Sequence, residues 1–211
     1  GRDKEEKSNM TQVIDLLGYE RIAELAAALT FAPKREQFIF LRHGETEGNR
    51  TKRYQMPHTP LNETGEGQAA TAAKALAPVR IGKLVASPMA RAWRTASLVA
   101  AEHGIHPEVD GALSERFYVS LWDKPIEGAF DWNWDPDGCE PLATFVHRAA
   151  HSVMRILEDD RPDGETVIVA HGGILLVACA LTNATLEHSH RKNAVPLRFT
   201  RQNGAWTAAP V

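Results

Sequence analysis

Short apolar segments typical of strands alternate along this chain with segments of helical character, and this alternation limits the folds it can adopt. Gln37–Leu41 is rich in Phe and Ile, Thr166–Ala170 is β-branched, and Leu142–Glu158 has helical periodicity. Strands that alternate with helices form a sheet covered on both faces. We therefore predict an α/β fold, a three-layer sandwich with a mostly parallel central sheet, helices on both faces and an N-terminal helical arm.

The other predicted elements follow from the same signals of apolar periodicity, β-branched residues, proline and glycine. A turn at Asn203-Gly204 joins the last two strands, since this dipeptide favours tight hairpins. The predicted helices are Glu66–Ala77, Pro88–His103 and Ile174–Leu181, and the predicted strands are Leu84–Ala86, Pro107–Leu113, Val195–Thr200 and Ala205–Thr207.

The first 33 residues stand apart from this alternation. Residues 1–9 are mostly charged or polar and are predicted to be a tail, whereas Thr11–Leu29 repeats apolar residues at helical spacing and is predicted to be an amphipathic helix. We thus divide the chain into an N-terminal tail and helix, residues 1–33, and an α/β domain, residues 34–211. Because that domain has a complete alternation of its own, we expect the helix to form a homo-oligomer contact.

Two histidines, His43 and His171, each follow a predicted strand directly and precede a glycine. In parallel sheets ligands bind beyond the carboxyl ends of the strands, where these two side chains would meet. A neutral imidazole can attack phosphorus, and Arg42 beside His43 offers paired donors that match phosphate oxygens. Histidines that only cap strands would produce the same pattern, so the two motifs alone leave both interpretations open.

Two further residues could serve the same chemistry. Arg91 lies in the first turn of a helix that follows a strand, and the free N–H groups of such a turn bind anions. Glu115 follows a third apolar stretch, where a carboxylic acid could protonate a leaving oxygen. A glutamate in this setting is more often a salt-bridge partner, and that alternative stays open.

Together these motifs, in this order, resemble the histidine phosphatase superfamily, also called the phosphoglycerate-mutase-like family. The resemblance extends from about Phe38 to Val195. The motifs that carry it are Arg42-His43-Gly44-Glu45-Thr46 followed by Asn49, the segment from Gln55 to Gln68, Ser87-Pro88 with Arg91, and His171-Gly172-Gly173.

The resemblance implies a role for each matching residue. His43 would carry the phosphoryl group, Glu115 would donate the proton, and Glu140 would have a structural role. The implied phosphate pocket consists of Arg42, Asn49, Arg91, His171 and Gly172. The family further implies that residues 34–211 are a catalytic domain, a phosphoric monoester hydrolase that acts on a small phosphorylated metabolite without metal or cofactor.

Two features favour a phosphatase over a cofactor-dependent phosphoglycerate mutase, which is the first alternative. Gly173 stands where such mutases tend to carry Asn, and only about two dozen residues separate Glu115 from Glu140. The acidic residues in that connection would also repel a substrate carboxylate if they faced the site; they are Asp131, Asp135 and Asp137. The second alternative is a non-catalytic protein that binds phospho-ligands on the same fold.

An aromatic segment lies between Trp122 and Asp137, and it includes Trp132 and Trp134. We interpret it as a lid that sets specificity, with an aromatic-anchored surface loop as the alternative. Its D-x-N-x-D run resembles the start of a calcium loop, but Pro136 and Leu142 stand where that loop needs Gly and Glu. No metal site is predicted.

Composition excludes several classes of partner. The formal net charge of -3 gives no field that would attract nucleic acid, and no apolar run is long enough to span a bilayer. The first residues lack the apolar core of a secretory signal. The two cysteines, Cys139 and Cys179, are far apart in sequence, which favours a reducing cytoplasm.

Overall fold

The computed structural model describes residues 14–211, and one six-stranded sheet forms its centre. The strands are β1 (Gln37–Arg42), β2 (Ile81–Ala86), β3 (Glu108–Val109), β4 (Glu165–Ala170), β5 (Pro196–Gln202) and β6 (Ala205–Pro210). Their order across the sheet is β3-β2-β4-β1-β5-β6. The first four are parallel, and β5 and β6 add an antiparallel edge. The predicted α/β class with a mostly parallel sheet is confirmed.

Helices cover both faces of this sheet. They are α1 (Tyr19–Ala27), α2 (Glu47–Thr51), α3 (Glu63–Leu76), α4 (Ala90–His103), α5 (Leu142–Glu158) and α6 (Gly172–Thr182). Side chains alternate across a strand, so Phe38 and Phe40 pack with α1, α5 and α6, whereas Ile39 and Leu41 pack with α3 and α4. None of the helices in residues 14–211 is long and apolar enough to cross a membrane.

The N-terminal helix begins later than predicted. It starts at Tyr19 and ends at Ala27, and residues 11–13 of the predicted span lie outside the described residues. Gly18 has a φ of +81°, which ends any helical path before it, and the Leu17 carbonyl accepts a hydrogen bond from Trp132 N at 2.9 Å. The helix lies against α5 and α6 of its own chain, with Ile22 fully buried.

The predicted strand Pro107–Leu113 is mostly not a strand. Only Glu108–Val109 pairs, at the edge beside β2. Asp110 then accepts a hydrogen bond from Ala112 N and caps a 3₁₀ helix over Gly111–Leu113. Because a side chain that caps a turn competes with strand pairing, the chain leaves the sheet here and turns towards the sheet's carboxyl edge.

The fold has two further local features, a tight turn between β5 and β6 and the short helix α2. The turn between β5 and β6 is confirmed, with positive φ at both Asn203 and Gly204. The short helix α2 was not predicted. Its N-cap is Thr46, which forms a capping box with Asn49, and it begins three residues after Gly44.

Candidate active site

The loops that follow β1, β2 and β4 meet at the carboxyl edge of the sheet. His43 N donates to the Ala170 carbonyl at 3.0 Å, and Ser87 N donates to the Val169 carbonyl at 3.0 Å. These bonds continue the strand pairing by one residue. They place His43, Ser87 and His171 side by side, as expected from their positions after three neighbouring strands.

The His43 imidazole is 3% exposed and is fixed by its own loop. Nδ1 lies 2.7 Å from the Gly44 carbonyl oxygen, so Nδ1 carries a proton that it donates, and the lone pair of the neutral ring is on Nε2. Burial, Arg91 and Arg42 together hold the pKa of His43 well below its ordinary value. The ring is therefore neutral at pH 7.

Gly44 allows the loop that carries His43 to lie against the start of α3. A Cβ at Gly44 would come within 3.0 Å of the Gly65 carbonyl carbon and closer still to its oxygen. Gly44 N also donates to Thr95 Oγ1 of α4 at 3.2 Å. Gly44 and Gly65, which belong to two separate motifs, thus allow their backbones to lie in contact, and this contact fixes the position of His43.

His171 is fully buried beside His43, with ring centroids 5.1 Å apart at an angle of 63°. Its Nε2 lies 2.8 Å from Ser87 Oγ, which accepts from Met89 N at 3.2 Å. The Ser87 hydroxyl can then donate to Nε2, which leaves the single ring proton on Nδ1. Burial and then Arg91 hold the pKa of His171 well below its ordinary value.

The guanidinium groups of Arg42 and Arg91 both lie beside His43. Arg91 is 2% exposed and donates from Nη1 to the Met56 carbonyl at 2.9 Å, while Arg42 donates from Nη1 to the Arg191 carbonyl at 2.9 Å. Burial lowers the pKa of Arg91 to about 10, and the pKa of Arg42 is also lowered by burial. Both groups stay charged at pH 7.

Several buried donors around His43 lack a partner. Within residues 14–211, the buried side-chain nitrogen and oxygen atoms without a hydrogen bond are Arg42 Nε, Arg91 Nε, Thr166 Oγ1, His171 Nδ1 and Arg191 Nε. Buried polar groups are nearly always hydrogen-bonded, and each exception calls for an explanation. Three of these five atoms belong to the residues that flank His43, and all three are donors, which is the arrangement that an anion site needs.

Glu115 lies against the loop of the second histidine. Its Oε2 accepts from Gly173 N at 2.9 Å, and its Oε1 accepts from Arg116 N at 3.0 Å. A Cβ at Gly173 would collide with Glu115 Oε1 and would lie 2.7 Å from the Trp132 ring. Position 173 therefore has no room for a side chain while Glu115 and Trp132 stay in place.

Arg148 and Glu140 hold the segment that carries Glu115. Arg148 on α5 donates to the carbonyl oxygens of Ala112, Ser114 and Glu115 at 2.7 to 3.1 Å. Its other contacts form a two-pronged ion pair with the Glu140 carboxylate at 2.8 and 2.9 Å. This placement of Glu140 agrees with the structural role implied for it. Arg148 was not identified from the sequence.

Arg116 anchors the aromatic segment and was also not predicted. Its fully buried side chain donates to the carbonyl oxygens of Trp132 and Trp134, each at 3.0 Å, and to Asp135 Oδ1 at 2.6 Å. Trp132 is 8% exposed and stacks on Phe145 of α5. The segment is thus anchored to the domain at Trp132, which lies beside Glu115, while most of its other residues are exposed.

Asn49 lies close to the loop that carries His43. Its Oδ1 accepts from Thr46 N at 3.1 Å and from Asn193 Nδ2 at 3.3 Å, and Asn193 also donates to the His43 carbonyl at 2.9 Å. The side chain therefore caps α2 and links it to the loop before β5. The phosphate contact predicted for Asn49 would have to come from its Nδ2.

Three cavities surround this constellation. One of about 130 Å³ is lined by Arg91, Glu115, Tyr54 and Phe130, and the last two also line a surface cavity of about 590 Å³. A third, of about 280 Å³, is lined by Arg42 and Glu115 among others. The cavity of about 650 Å³ around Arg35 lies at the other end of β1, far from the histidines.

Comparison with known proteins agrees with this geometry. A family model described as the histidine phosphatase superfamily (branch 1) matches residues 38–209. The chain belongs to the histidine phosphatase superfamily. The family predicted from the motifs is confirmed, and the match extends from Phe38 in β1 to Ala209 in β6.

Relatives within the superfamily carry several names. "Agropine synthesis reductase" of Rhizobium rhizogenes is 31% identical over 82% of this chain, and the chain spans only 41% of that protein's length. "Glucosyl-3-phosphoglycerate phosphatase" of Mycobacterium tuberculosis is 30% identical over 68% of this chain and 74% of its own length. "Probable phosphoglycerate mutase GpmB" of Cronobacter sakazakii is 28% identical, with coverages of 82% and 88%.

A solved structure of a mycobacterial glucosyl-3-phosphoglycerate phosphatase in complex with VO3 has the same fold. Its TM-score is 0.70 at 26% identity, with 83% of this chain and 98% of that chain covered. The likeness extends over nearly the whole of that superfamily member.

Proposed function

We propose that this chain is a phosphatase that hydrolyses small phosphomonoesters through a phosphohistidine on His43. The observation that carries the proposal is the set of buried donors without partners beside that imidazole, Arg42 Nε, Arg91 Nε and His171 Nδ1. A buried donor without a partner costs about 1–3 kcal/mol. A phosphoryl group has oxygens that can accept from all three, so its binding accounts for the arrangement.

His43 is the nucleophile in this mechanism. The neutral ring presents its Nε2 lone pair, which forms a bond to phosphorus as the ester P–O bond breaks. The imidazole becomes positively charged in this step. The Gly44 carbonyl that accepts from Nδ1 at 2.7 Å stabilises that charge and holds the ring orientation.

Arg42, Arg91 and His171 stabilise the charge on the transferring phosphoryl group. The two guanidiniums supply positive charge, and the neutral His171 ring supplies an N–H donor because Ser87 occupies its other nitrogen. These donors are already in place before the reaction, which is the condition for strong electrostatic catalysis. Removing one such donor typically costs about 10² to 10³ in kcat.

Glu115 acts as the proton donor and later as the base. The leaving alkoxide takes the Glu115 proton as the P–O bond breaks, and the resulting carboxylate then removes a proton from the water that attacks the phosphohistidine. Its position supports this role, since it lies between Gly173 of the second histidine loop and the cavity that also contains Arg91. Inorganic phosphate leaves and neutral His43 is restored.

The site supplies its own positive charge, so the proposed reaction needs no metal ion. Two guanidiniums flank the position of a phosphate dianion and balance it. In the part of the chain that the structure describes, no group of three or more His, Cys, Asp or Glu side chains is arranged to hold a metal. Activity should therefore survive exhaustive chelation.

Two alternatives stay in view. A phosphoglycerate mutase is favoured by the name of several relatives, but a mutase must hold its substrate against water until the phosphoryl group returns. Gly173 leaves no side chain for that purpose. A protein that only binds phospho-ligands would have no need of Glu115 beside the second histidine loop.

One assay separates the three functions. 3-Phosphoglycerate with its bisphosphate primer, and in a second tube p-nitrophenyl phosphate, are incubated with the chain and a chelator, and products are followed by phosphorus NMR. We expect free phosphate, and we expect His43→Ala to lose at least about 10³-fold in rate, as when an active-site nucleophile is removed. His147→Ala, which removes an exposed histidine of α5, is the matched control.

Exchange between 3- and 2-phosphoglycerate that is tenfold faster than phosphate release, a difference of about 1.4 kcal/mol in barrier height, would show that the chain is a mutase and not a phosphatase. Binding of both esters without any product would support the third function, a non-catalytic protein that binds phospho-ligands. Loss of activity on chelation, with recovery on addition of a divalent metal, would contradict the metal-independent mechanism.

A further inference from the structure

The segment that precedes α1, residues 14–18, borders the active site although it lies outside the family match. That match begins at residue 38, whereas this N-terminal segment leads into α1. Its Leu16 side chain lines the cavity of about 280 Å³ that Arg42, Glu115 and Trp132 also line. A side chain from outside the family match thus forms part of the wall beside the proposed proton donor.

The backbone of the N-terminal segment lies in contact with the backbone of the aromatic segment. The Leu17 carbonyl accepts a hydrogen bond from Trp132 N at 2.9 Å. A Cβ at Gly18 would lie 2.9 Å from the Trp132 carbonyl carbon and closer still to Asn133 N. The contact therefore requires a residue without a side chain at position 18.

The N-terminal segment is held on the body of the domain at both of its ends. At its start Ile14 is 7% exposed and belongs to the hydrophobic core. At its end the Gly18 carbonyl accepts from Arg21 N at 3.1 Å, which joins the segment to α1, and α1 is fixed by the fully buried Ile22. The segment can thus serve as a fixed support for the residues that it contacts.

Trp132 depends on this support for its position. Its neighbours Asp131 and Asn133 are exposed, so its backbone is held by two hydrogen bonds, from its N–H to Leu17 and from Arg116 to its carbonyl. Two hydrogen bonds from opposite sides fix the peptide groups on either side of the Trp132 Cα. Loss of the bond to Leu17 would leave this part of an exposed loop held on one side only.

The Trp132 ring lies next to the proposed proton donor. The ring and Glu115 Oε1 both border the position that a Cβ on Gly173 would occupy, the ring at 2.7 Å. Both residues also line the cavity of about 130 Å³ that contains Arg91. The ring therefore limits the space into which the Glu115 carboxyl can move.

We propose that residues 16–18 are a positioning segment of the active site, which holds Trp132 against Glu115 and keeps that carboxyl aligned with the leaving oxygen. The inference rests on the proposed phosphatase function and adds to it a determinant from outside the family match. A general acid must lie within hydrogen-bond distance of the atom that it protonates. The segment should therefore affect proton transfer to the leaving group and leave phosphate binding unchanged.

Gly18→Ala tests the inference on two esters. The methyl group would push the segment away from the Trp132 backbone. The kcat for glycerol 3-phosphate should then fall at least about tenfold more than the kcat for p-nitrophenyl phosphate, whose leaving group needs no proton. Inhibition by inorganic phosphate should stay within about twofold of the wild type, because the donors of the phosphate pocket are retained. If Gly18→Ala does not fold, Leu16→Ala replaces it and should show the same selective loss.

Gly104→Ala is the matched control. Gly104 also has a positive φ, +62°, but a Cβ there meets nothing within 4 Å, so alanine adds the same kind of backbone strain without a collision. The ratio of the two kcat values in this variant should equal that of the wild type. In the Trp132→Leu background, Gly18→Ala should change the ratio by less than about twofold, since both substitutions act through one contact.

Amide hydrogen exchange at Trp132 measures the contact without any substrate. Exchange should be at least about tenfold faster in Gly18→Ala than in the wild type or in Gly104→Ala. Equal effects of Gly18→Ala on the two esters, or its full selective loss in the Trp132→Leu background, would overturn the inference. Failure of the wild type to hydrolyse either ester would contradict the proposed function instead, and an unchanged exchange rate in Gly18→Ala would then overturn the inference by itself.

Discussion

At the residue scale, two glycines allow the close packing around His43 and Glu115. Gly44 lets the His43 loop lie on the backbone of Gly65, and Gly173 leaves space for the Glu115 carboxylate and the Trp132 ring. Neither position requires a positive φ. Both are needed because a side chain would occupy space that a neighbouring group already fills.

Gly173→Ala should therefore impair catalysis. The added methyl group would displace Glu115, Trp132 or Phe145, and we expect phosphate release from an alkyl ester to fall at least about tenfold, or 1.4 kcal/mol in barrier height. Gly67→Ala is the matched control, since a Cβ there meets nothing within 4 Å on a helix, and alanine should slightly stabilise the chain. Unchanged release by Gly173→Ala in a steady-state assay would contradict the crowded packing.

Residues at strand ends, and Arg91 at the start of a helix, could be predicted from the sequence, whereas Arg116 and Arg148 could not. Arg42, His43 and His171 were predicted because parallel strands bring their carboxyl ends to one edge. Arg116 and Arg148 bond mainly to backbone carbonyls 16 to 36 positions away. A sequence shows that such an arginine is charged, but it carries no signal for which distant carbonyl groups will surround it.

At the element scale, the position of Glu115 is determined by the connection from β3 to α5, which carries it. It contains two 3₁₀ helices, Gly111–Leu113 and Val119–Leu121, and is held to α5 through Arg148. Arg116 then joins the same connection to the aromatic segment. The position of the proposed proton donor thus depends on hydrogen bonds from two arginines, not on a strand.

Arg148→Gln should weaken proton donation more than phosphoryl binding. Without the guanidinium, the carbonyl oxygens of Ala112 and Ser114 lose their donor and Glu115 loses its fixed position. An alkoxide leaving group needs a proton, whereas p-nitrophenolate does not. We expect kcat for glycerol 3-phosphate to fall at least about tenfold more than kcat for p-nitrophenyl phosphate.

The control for this comparison is Arg161→Gln, which removes an 86% exposed arginine and should leave both rates unchanged. Equal losses on the two esters in Arg148→Gln would indicate general destabilisation and would count against Arg148 as a positioning residue for Glu115.

The order of the helices and strands could be predicted because the periodicity of apolar residues shows which faces are buried. Burial determines most of the secondary structure of this chain. Leu142–Glu158 was predicted with the bounds that α5 has, and the strands differ by a few residues. The predicted bounds of an element are wrong where one polar contact or one glycine, and not the periodicity of apolar residues, determines the backbone conformation. Asp110 ends β3 early by capping, and Gly18 with its φ of +81° delays the start of α1.

At the scale of the whole molecule, α1 forms part of the packed domain. Tyr19, Ile22 and Ala26 are buried on α5 and α6 and belong to the same hydrophobic core as β1. The apolar stripe that suggested an oligomer contact is thus covered by its own chain at these positions. Homo-oligomer formation through this helix stays a prediction.

Ile22→Ala should lower the free energy of unfolding by about 2–5 kcal/mol, the usual cost of a cavity in a core. Ile22 is fully buried, whereas Leu17 is 55% exposed, so Leu17→Ala is the control and should change stability by less than about 0.5 kcal/mol. Urea denaturation measures both. Similar small effects of the two substitutions would show that α1 does not pack on the domain in solution.

The covalent intermediate on His43 is the central claim, and rapid-quench labelling tests it most directly. The chain is mixed with a ³²P-labelled phosphomonoester, quenched in alkali during the first turnover, and digested for mass spectrometry. We expect a phosphoryl group that is stable in base and labile in acid, on the peptide that contains His43, and absent from His43→Ala. Label on another residue, or first-turnover phosphate release without any labelled protein, would contradict the mechanism.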